Sequence, residues 1–196
     1  MTLGWNNIEL SNGSFTWTAL DNRINGAAAE GLWVMPLVYT GDRAPAWLYA
    51  NGVPEITTDF QGGSSFPYYP DATYQAFSRR MIAAVADHLD TAYPPEVRAR
   101  IIGVQCPVGA SGDPVPYKNS SGNWFGSGPS FIDDPTWDAF QQQMFTAYYD
   151  TYKSRVPRIH PLFNSNFSFG LTDYAVDTLR GAWLKTSRIG DRYQNN

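Results

Sequence analysis

The chain has 196 residues, 43% hydrophobic, 15% aromatic and only 16% charged, with a formal net charge of −4. That length builds one domain with a sizeable core rather than two, and abundant aromatics with a low net charge exclude disorder. The absence of a basic block excludes a phosphate-tracking nucleic-acid binder, and a single cysteine excludes both an intrachain disulfide and a cysteine-based zinc site. The longest apolar run, Leu32 to Tyr39, is far short of a membrane span, so no membrane partner is expected. The first ten residues lack the basic and apolar regions of a signal peptide, which leaves the compartment open.

The first predicted helix runs from Thr18 to about Glu30. Thr18 with Asp21 forms a capping-box pattern, Leu20, Ile24, Ala27 and Ala28 share a face, and Gly31 supplies the stop. Leu32 to Tyr39 then reads as a buried strand, blemished by Pro36, which lacks a ladder donor. A second helix spans about Ala72 to Thr91, with Phe77, Met81, Val85 and Leu89 as its stripe and Pro94-Pro95 as its end. Ile101 to Val108 is a second buried strand. The third helix starts with Asp134 as N-cap and Pro135 at N1, carries Trp137, Phe140, Met144 and Tyr148, and closes at Val156-Pro157. Ile159 to Phe163 is a third strand. A fourth helix starts near Thr172 and carries Val176, Leu179 and Trp183, with a further strand near Ile189.

Strands alternating with helices predict an α/β fold with a parallel sheet. Helix-to-strand connections are short, whereas the first two strand-to-helix connections run to roughly 25–30 residues, well beyond usual loop lengths. Those long loops hold Trp47, Tyr49, Phe60, Phe66, Tyr68, Tyr69, Tyr117, Trp124 and Phe125. Loops after the carboxyl ends of parallel strands are where such folds place their sites, and aromatics on loops either line a binding surface or pack beneath the loop. A nucleotide-binding doubly wound sheet is disfavoured, since no G-x-G-x-x-G or P-loop pattern occurs.

Several segments, in order, resemble the β-galactosidase-like glycoside hydrolases of the (β/α)₈-barrel clan. The first is Trp5 followed by Glu9, then Gly13-Ser14-Phe15-Thr16-Trp17 and Leu20-Asp21. Gly31 to Pro36 and Ala44-Pro45-Ala46-Trp47-Leu48 are similar to the third strand and its following loop. Arg100 to Gln105 is similar to the fourth strand, and Gly109-Ala110-Ser111-Gly112-Asp113 stands where the clan carries its acid/base. The resemblance covers most of the chain to about Asn166. It implies hydrolysis of O-glycosidic bonds in a neutral glycan by two carboxyls, without a cofactor, with a carbohydrate as partner.

The implied fold is an incomplete (β/α)₈ TIM barrel of about strands 2 to 6, with residues 1–196 a single domain within a catalytic barrel, since a full barrel takes about 250 residues. Asp113 matches the acid/base position, although the clan has Asn-Glu where this chain has Gly-Asp. The clan's nucleophile is a Glu at the end of the seventh strand. The four Glu here are Glu9, Glu30, Glu55 and Glu96, so the nucleophile is expected outside this chain.

Trp47, Gln105, Tyr117, Trp124, Asn164 and Asn166 are the candidate sugar contacts. Aromatic rings stack on sugar faces, and short amides pair with hydroxyls. Asp113 reads equally as a turn residue in Gly-Asp-Pro, and Asn164 and Asn166 as loop caps. Glu9 is expected to be structural, His88 to lie on a helix surface, and His160 to sit inside the barrel rather than on a metal. A non-catalytic glycan-binding or structural module is the alternative. An esterase using Ser111 with His160 is the least favoured reading, because the Gly-x-Ser-x-Gly elbow fails at its last glycine.

Overall fold

The computed structural model describes residues 1–112, 114–164 and 169–185. Five strands form its main sheet: β1 (Thr2–Gly4), β2 (Leu37–Tyr39), β3 (Gly103–Cys106), β4 (His160–Asn164) and β5 (Trp183–Lys185). All neighbours are parallel, and their spatial order is their order in the chain. A doubly wound sheet reverses its strand order at a switch point; this one does not. With right-handed crossovers, unreversed order directs the connecting helices to one face. Among the described residues the sheet is open, with β1 and β5 as its edges. The outward groups of β1 are taken by side chains: Arg23 donates to the Thr2 carbonyl, and the Gly4 N–H donates to Asn7 Oδ1 at 3.2 Å.

Among the described residues four long helices connect the strands, α1 (Thr18–Ala29), α2 (Ala72–Thr91), α3 (Asp134–Arg155) and α4 (Phe169–Thr178), besides the single turns Trp47–Ala50 and Pro95–Arg98. In α2, the Asp71 carboxylate caps the Tyr74 N–H at 2.8 Å, and Tyr74, Met81, Val85 and Leu89 are buried. In α3 the buried face is the predicted one, Trp137, Phe140, Met144 and Tyr148. Its cap is Asp133 rather than Asp134, because Asp133 holds the extended backbone a cap requires and accepts the Thr136 N–H at 2.9 Å. The expected Thr18 capping box does not form. Trp17 takes the cap position with a backbone already near-helical, so Thr18 lies inside the first turn. The C-terminus of α1 matches expectation: Gly31 has φ +74°, and the Leu32 N–H reaches the Ala27 carbonyl at 2.9 Å, as a Schellman motif requires.

Three expectations shift. The strand predicted from Leu32 begins only at Leu37; Leu32 and Trp33 are exposed, and Pro36, lacking an N–H, separates the lone Val34–Ile101 bridge from β2. Trp183 belongs to β5, not to the fourth helix, which ends at Thr178 before Gly181 takes φ +93°. Ile189, the other strand candidate there, lies outside the described residues. His88 is not on the surface: its side chain is 12% exposed, stacked under Trp17 with ring centroids 4.3 Å apart. Its Nε2 is 2.7 Å from Asp21 Oδ1, which also accepts from the Tyr93 hydroxyl at 2.5 Å. This cluster joins α1 to the end of α2.

Alternation along each strand splits the sheet into two faces. Val38, Val104, Cys106 and Phe163 are buried against the helices; Phe163 stacks on Phe145 of α3 at 4.3 Å. Leu37, Tyr39, Gln105, His160, Leu162 and Asn164 alternate with them and are half-buried. The long loops after β2 and β3 fold into antiparallel ribbons, Glu55–Thr58 with Ser64–Pro67 and Tyr117–Asn119 with Gly122–Trp124. Asp59 ties them together by accepting from the Ser120 N–H at 2.8 Å and from its hydroxyl. These two bonds hold the exposed Asp59 carboxyl below its usual range.

Candidate functional site

The half-buried face opens into a pocket of about 140 Å³ at the carboxyl ends of the strands, lined by Leu37, Tyr39, Gln105, Gly112, Leu162, Asn164 and Lys185 among others. The register explains the convergence. Leu37, Gln105, Leu162 and Trp183 occupy one level across β2 to β5, and Asn164 pairs with Lys185 one level higher. Side chains two residues apart on parallel strands therefore stand in layers, as in barrel interiors.

Gln105 and Asn164 give the pocket its hydrogen-bonding character, since each amide offers donors and an acceptor. Asn164 Nδ2 also donates to the Gly112 carbonyl at 3.3 Å, which draws the loop after β3 toward β4. Gly112 has φ +75°, and a Cβ there would lie 2.8 Å from Tyr39 Cε1. Only glycine lets that loop settle over the Tyr39 ring. Among the described residues no carboxylate lines the pocket, and no three His, Cys, Asp or Glu side chains come together as a metal site would require.

The structure brings Gln105 and Asn164 together and places Trp47, Tyr117 and Trp124 elsewhere. Trp47 opens the short helix Trp47–Ala50, donates Nε1–H to the Glu9 carbonyl at 2.9 Å, and meets Trp5 and Phe77 edge to face. The Arg80 guanidinium lies 5.4 Å from its ring, so the indole clamps loop to helix. Tyr117 is fully buried among Phe66, Tyr69 and Trp124, and burial pushes its phenol well above the usual range. Trp124 lies half-buried over Tyr117, 5.7 Å between centroids. Asp113 and Asn166 lie outside the described residues.

Glu9 is structural in its contacts. Its buried carboxylate accepts from Trp5 Nε1 at 2.7 Å and the Gly13 N–H at 2.8 Å and pairs with Arg80. His160 stacks on Trp183, 4.9 Å between ring centroids. It stands four residues before Asn164, about 13 Å along a strand, so it is remote from the loop that carries Ser111. Sequence reasoning missed Tyr39, Leu162 and Lys185. The two-residue spacing of Leu37 with Tyr39 and of Leu162 with Asn164 was the available signal. Lys185 had none, because its segment read as helix.

The sequence matches no known protein family and no curated protein. Among solved structures, the chain is similar to the crystal structure of a β-galactosidase from the psychrophilic Marinomonas ef1, with a TM-score of 0.52 and 13% identity. The match covers 83% of this chain and 32% of that enzyme, so the chain spans about a third of the enzyme's length. At that identity the likeness is one of fold alone. It is a glycosidase-like α/β fold, with a parallel five-stranded sheet and helices. Among the described residues, no helix is long and apolar enough to cross a membrane.

Proposed function

We propose that this chain is part of a glycoside-hydrolase-type (β/α)₈ barrel and that the pocket at its strand ends takes one residue of a neutral glycan. The observation that carries this reading is the meeting of Gln105, Asn164 and Tyr39 at the carboxyl ends of neighbouring parallel strands. Two amides and a phenol match the dense, uncharged hydroxyl pattern of a sugar, and the ring supplies a stacking face. The glycosidase-like fold supports the same reading, and such folds place ligands at that end. In hydrolysis Asp113 would be the proton donor, one residue beyond Gly112 of the pocket wall, and a second carboxyl would have to come from outside the described residues. The second reading is a module that binds sugar without cleaving it, since Gln105, Asn164 and Tyr39 supply binding groups whether or not a bond is cut.

Calorimetric titration with galactose and lactose tests binding. We expect Gln105→Leu and Asn164→Ala each to weaken it by about tenfold, the worth of one or two lost hydrogen bonds. Unchanged affinity in both variants would remove this pocket from the account. Hydrolysis is tested separately, in a protein that contains this segment and a second carboxyl. If Asp113 is the acid, Asp113→Asn should slow cleavage of alkyl β-galactosides about 10²–10⁴-fold, while an activated aryl β-galactoside is affected less in the glycosylation step. Equal rates on both substrates for variant and wild type would leave the binding module.

A further inference from the structure

The opposite, amino-terminal end of the sheet carries a second pocket, of about 350 Å³, lined by Arg98, Ile101, Ile102, Arg158, His160 and Trp183 among others. Two guanidiniums share this pocket in a chain of net charge −4. Among the described residues one carboxylate forms an ion pair here, that of Asp90, 3.3 Å from Arg158 Nη2 and itself 42% exposed. Arg98 has no ion-pair partner among the described residues; it donates from Nη1 to the Asp90 carbonyl at 2.8 Å. Arg158 donates from Nη2 to the Leu89 carbonyl at 3.1 Å. Both therefore cap the end of α2, as cations at a helix C-terminus do, yet each engages only one nitrogen of its fork in these bonds. Burial holds the Arg158 guanidinium below its usual range; Asp90 pulls it back up, and neighbouring Arg98 pushes it down again. The positive charge is thus only partly neutralised.

The remaining walls have a different chemistry. The His160 and Trp183 rings stack nearly parallel, 16° apart, and Trp183 is 37% exposed. Ile101 and Ile102 add apolar surface. Lys153 and Arg180 line an adjoining pocket that shares His160, extending the positive field toward an approaching anion. A fork-shaped cation pair beside a flat aromatic wall selects an anion that carries a ring. We propose that this pocket binds a small organic anion, one phosphate or carboxylate borne on a flat ring. It lies at the end of the sheet away from the strand-end pocket and does not depend on that pocket's function.

Titrating the chain with inorganic phosphate, benzoate and adenosine monophosphate, followed by Trp fluorescence and calorimetry, tests this. Benzoate identifies a carboxylate ligand and the nucleotide a phosphate ligand; at least one should bind about tenfold tighter than inorganic phosphate. Arg98→Gln should weaken binding of that probe about tenfold or more, as expected for losing a charge-assisted hydrogen bond. Trp183→Leu should bring its affinity down to that of phosphate. Asp90→Asn removes the rival carboxylate and should tighten binding several-fold, a sign that a purely helix-capping role for the arginines would not produce. If Arg98→Gln fails to fold, the Asp90→Asn titration decides. No saturable binding of either ring anion at millimolar concentration, or weaker binding in Asp90→Asn, would overturn the proposal.

Discussion

The two faces of the central sheet are made from alternate residues of the same strands, yet they do different work. On the helix side, Val38, Val104, Cys106 and Phe163 are each at most 4% exposed. On the other side, Leu37, Gln105, Leu162 and Asn164 remain half-buried, and two of the four are amides. A shift of one residue would exchange the sets. Polar side chains are tolerated where water, a ligand or protein groups satisfy their hydrogen bonds. Stability should therefore be concentrated on the first face and ligand recognition on the second.

The largest test of that division is Phe163→Ala. Removing a fully buried ring stacked on Phe145 should cost about 3–5 kcal/mol in denaturant unfolding. A loss below about 1 kcal/mol would mean that the helix-covered face does not carry the fold. Next, Glu9→Gln keeps the shape of the buried carboxylate but removes the charge facing Arg80 and one of the two oxygens that accept from the Trp5 and Gly13 N–H groups. Chemical denaturation should show a loss of about 2–3 kcal/mol, the range for charged hydrogen bonds.

Gly112→Ala forces a left-handed backbone on alanine and drives its Cβ against Tyr39. A loss of about 1–2 kcal/mol is expected, with weakened sugar binding because the pocket wall moves. Gln105→Leu is the sharpest contrast with Phe163→Ala. It should change stability by no more than about 0.5 kcal/mol, in either direction, while reducing sugar affinity. The smallest effect concerns Asp59, which joins the two ribbons. Its folded pKa lies below its unfolded value of about 3.9. Its contribution is therefore present above that value and lost as pH falls through the folded one. The melting temperature of Asp59→Asn should be slightly below that of wild type at pH 7, and the gap should narrow as pH falls below about 4.

Much of the fold was legible because burial imposes a period. The face of α3 was readable residue by residue, and three of the four stripe residues of α2 are buried, Phe77 being half-buried while Tyr74 takes the buried place one turn earlier, since each helix buries a continuous band against the sheet. Gly31 was legible because a helix stop needs a left-handed residue. Errors arose where two signals competed. Asp133 and Asp134 are both good caps, and only backbone geometry chooses between them. Trp183 continued a helical spacing that Gly181 interrupts. Leu32 and Trp33 are apolar but exposed, and apolar composition alone cannot tell an uncovered rim from a buried strand.

The site was less legible than the fold. Asn164 could be picked out as a polar residue at a strand end, and Gln105 as a polar residue within an otherwise apolar strand. Tyr117 could not be placed, because an aromatic on a long loop packs beneath it as readily as it faces a ligand. The arginine pocket left no motif, since Arg98, Arg158 and Trp183 are far apart in sequence and meet only through strand order.

The most direct measurement of the central claim is a two-dimensional NMR titration that follows side-chain amide and indole resonances as lactose is added. The account predicts saturable shifts of the Gln105 and Asn164 side-chain amides and of the Tyr39 ring, with the Trp17 indole, stacked on His88 between α1 and α2, unmoved. Shifts that leave Gln105, Asn164 and Tyr39 untouched, or none at any lactose concentration, would contradict a sugar site at the strand ends.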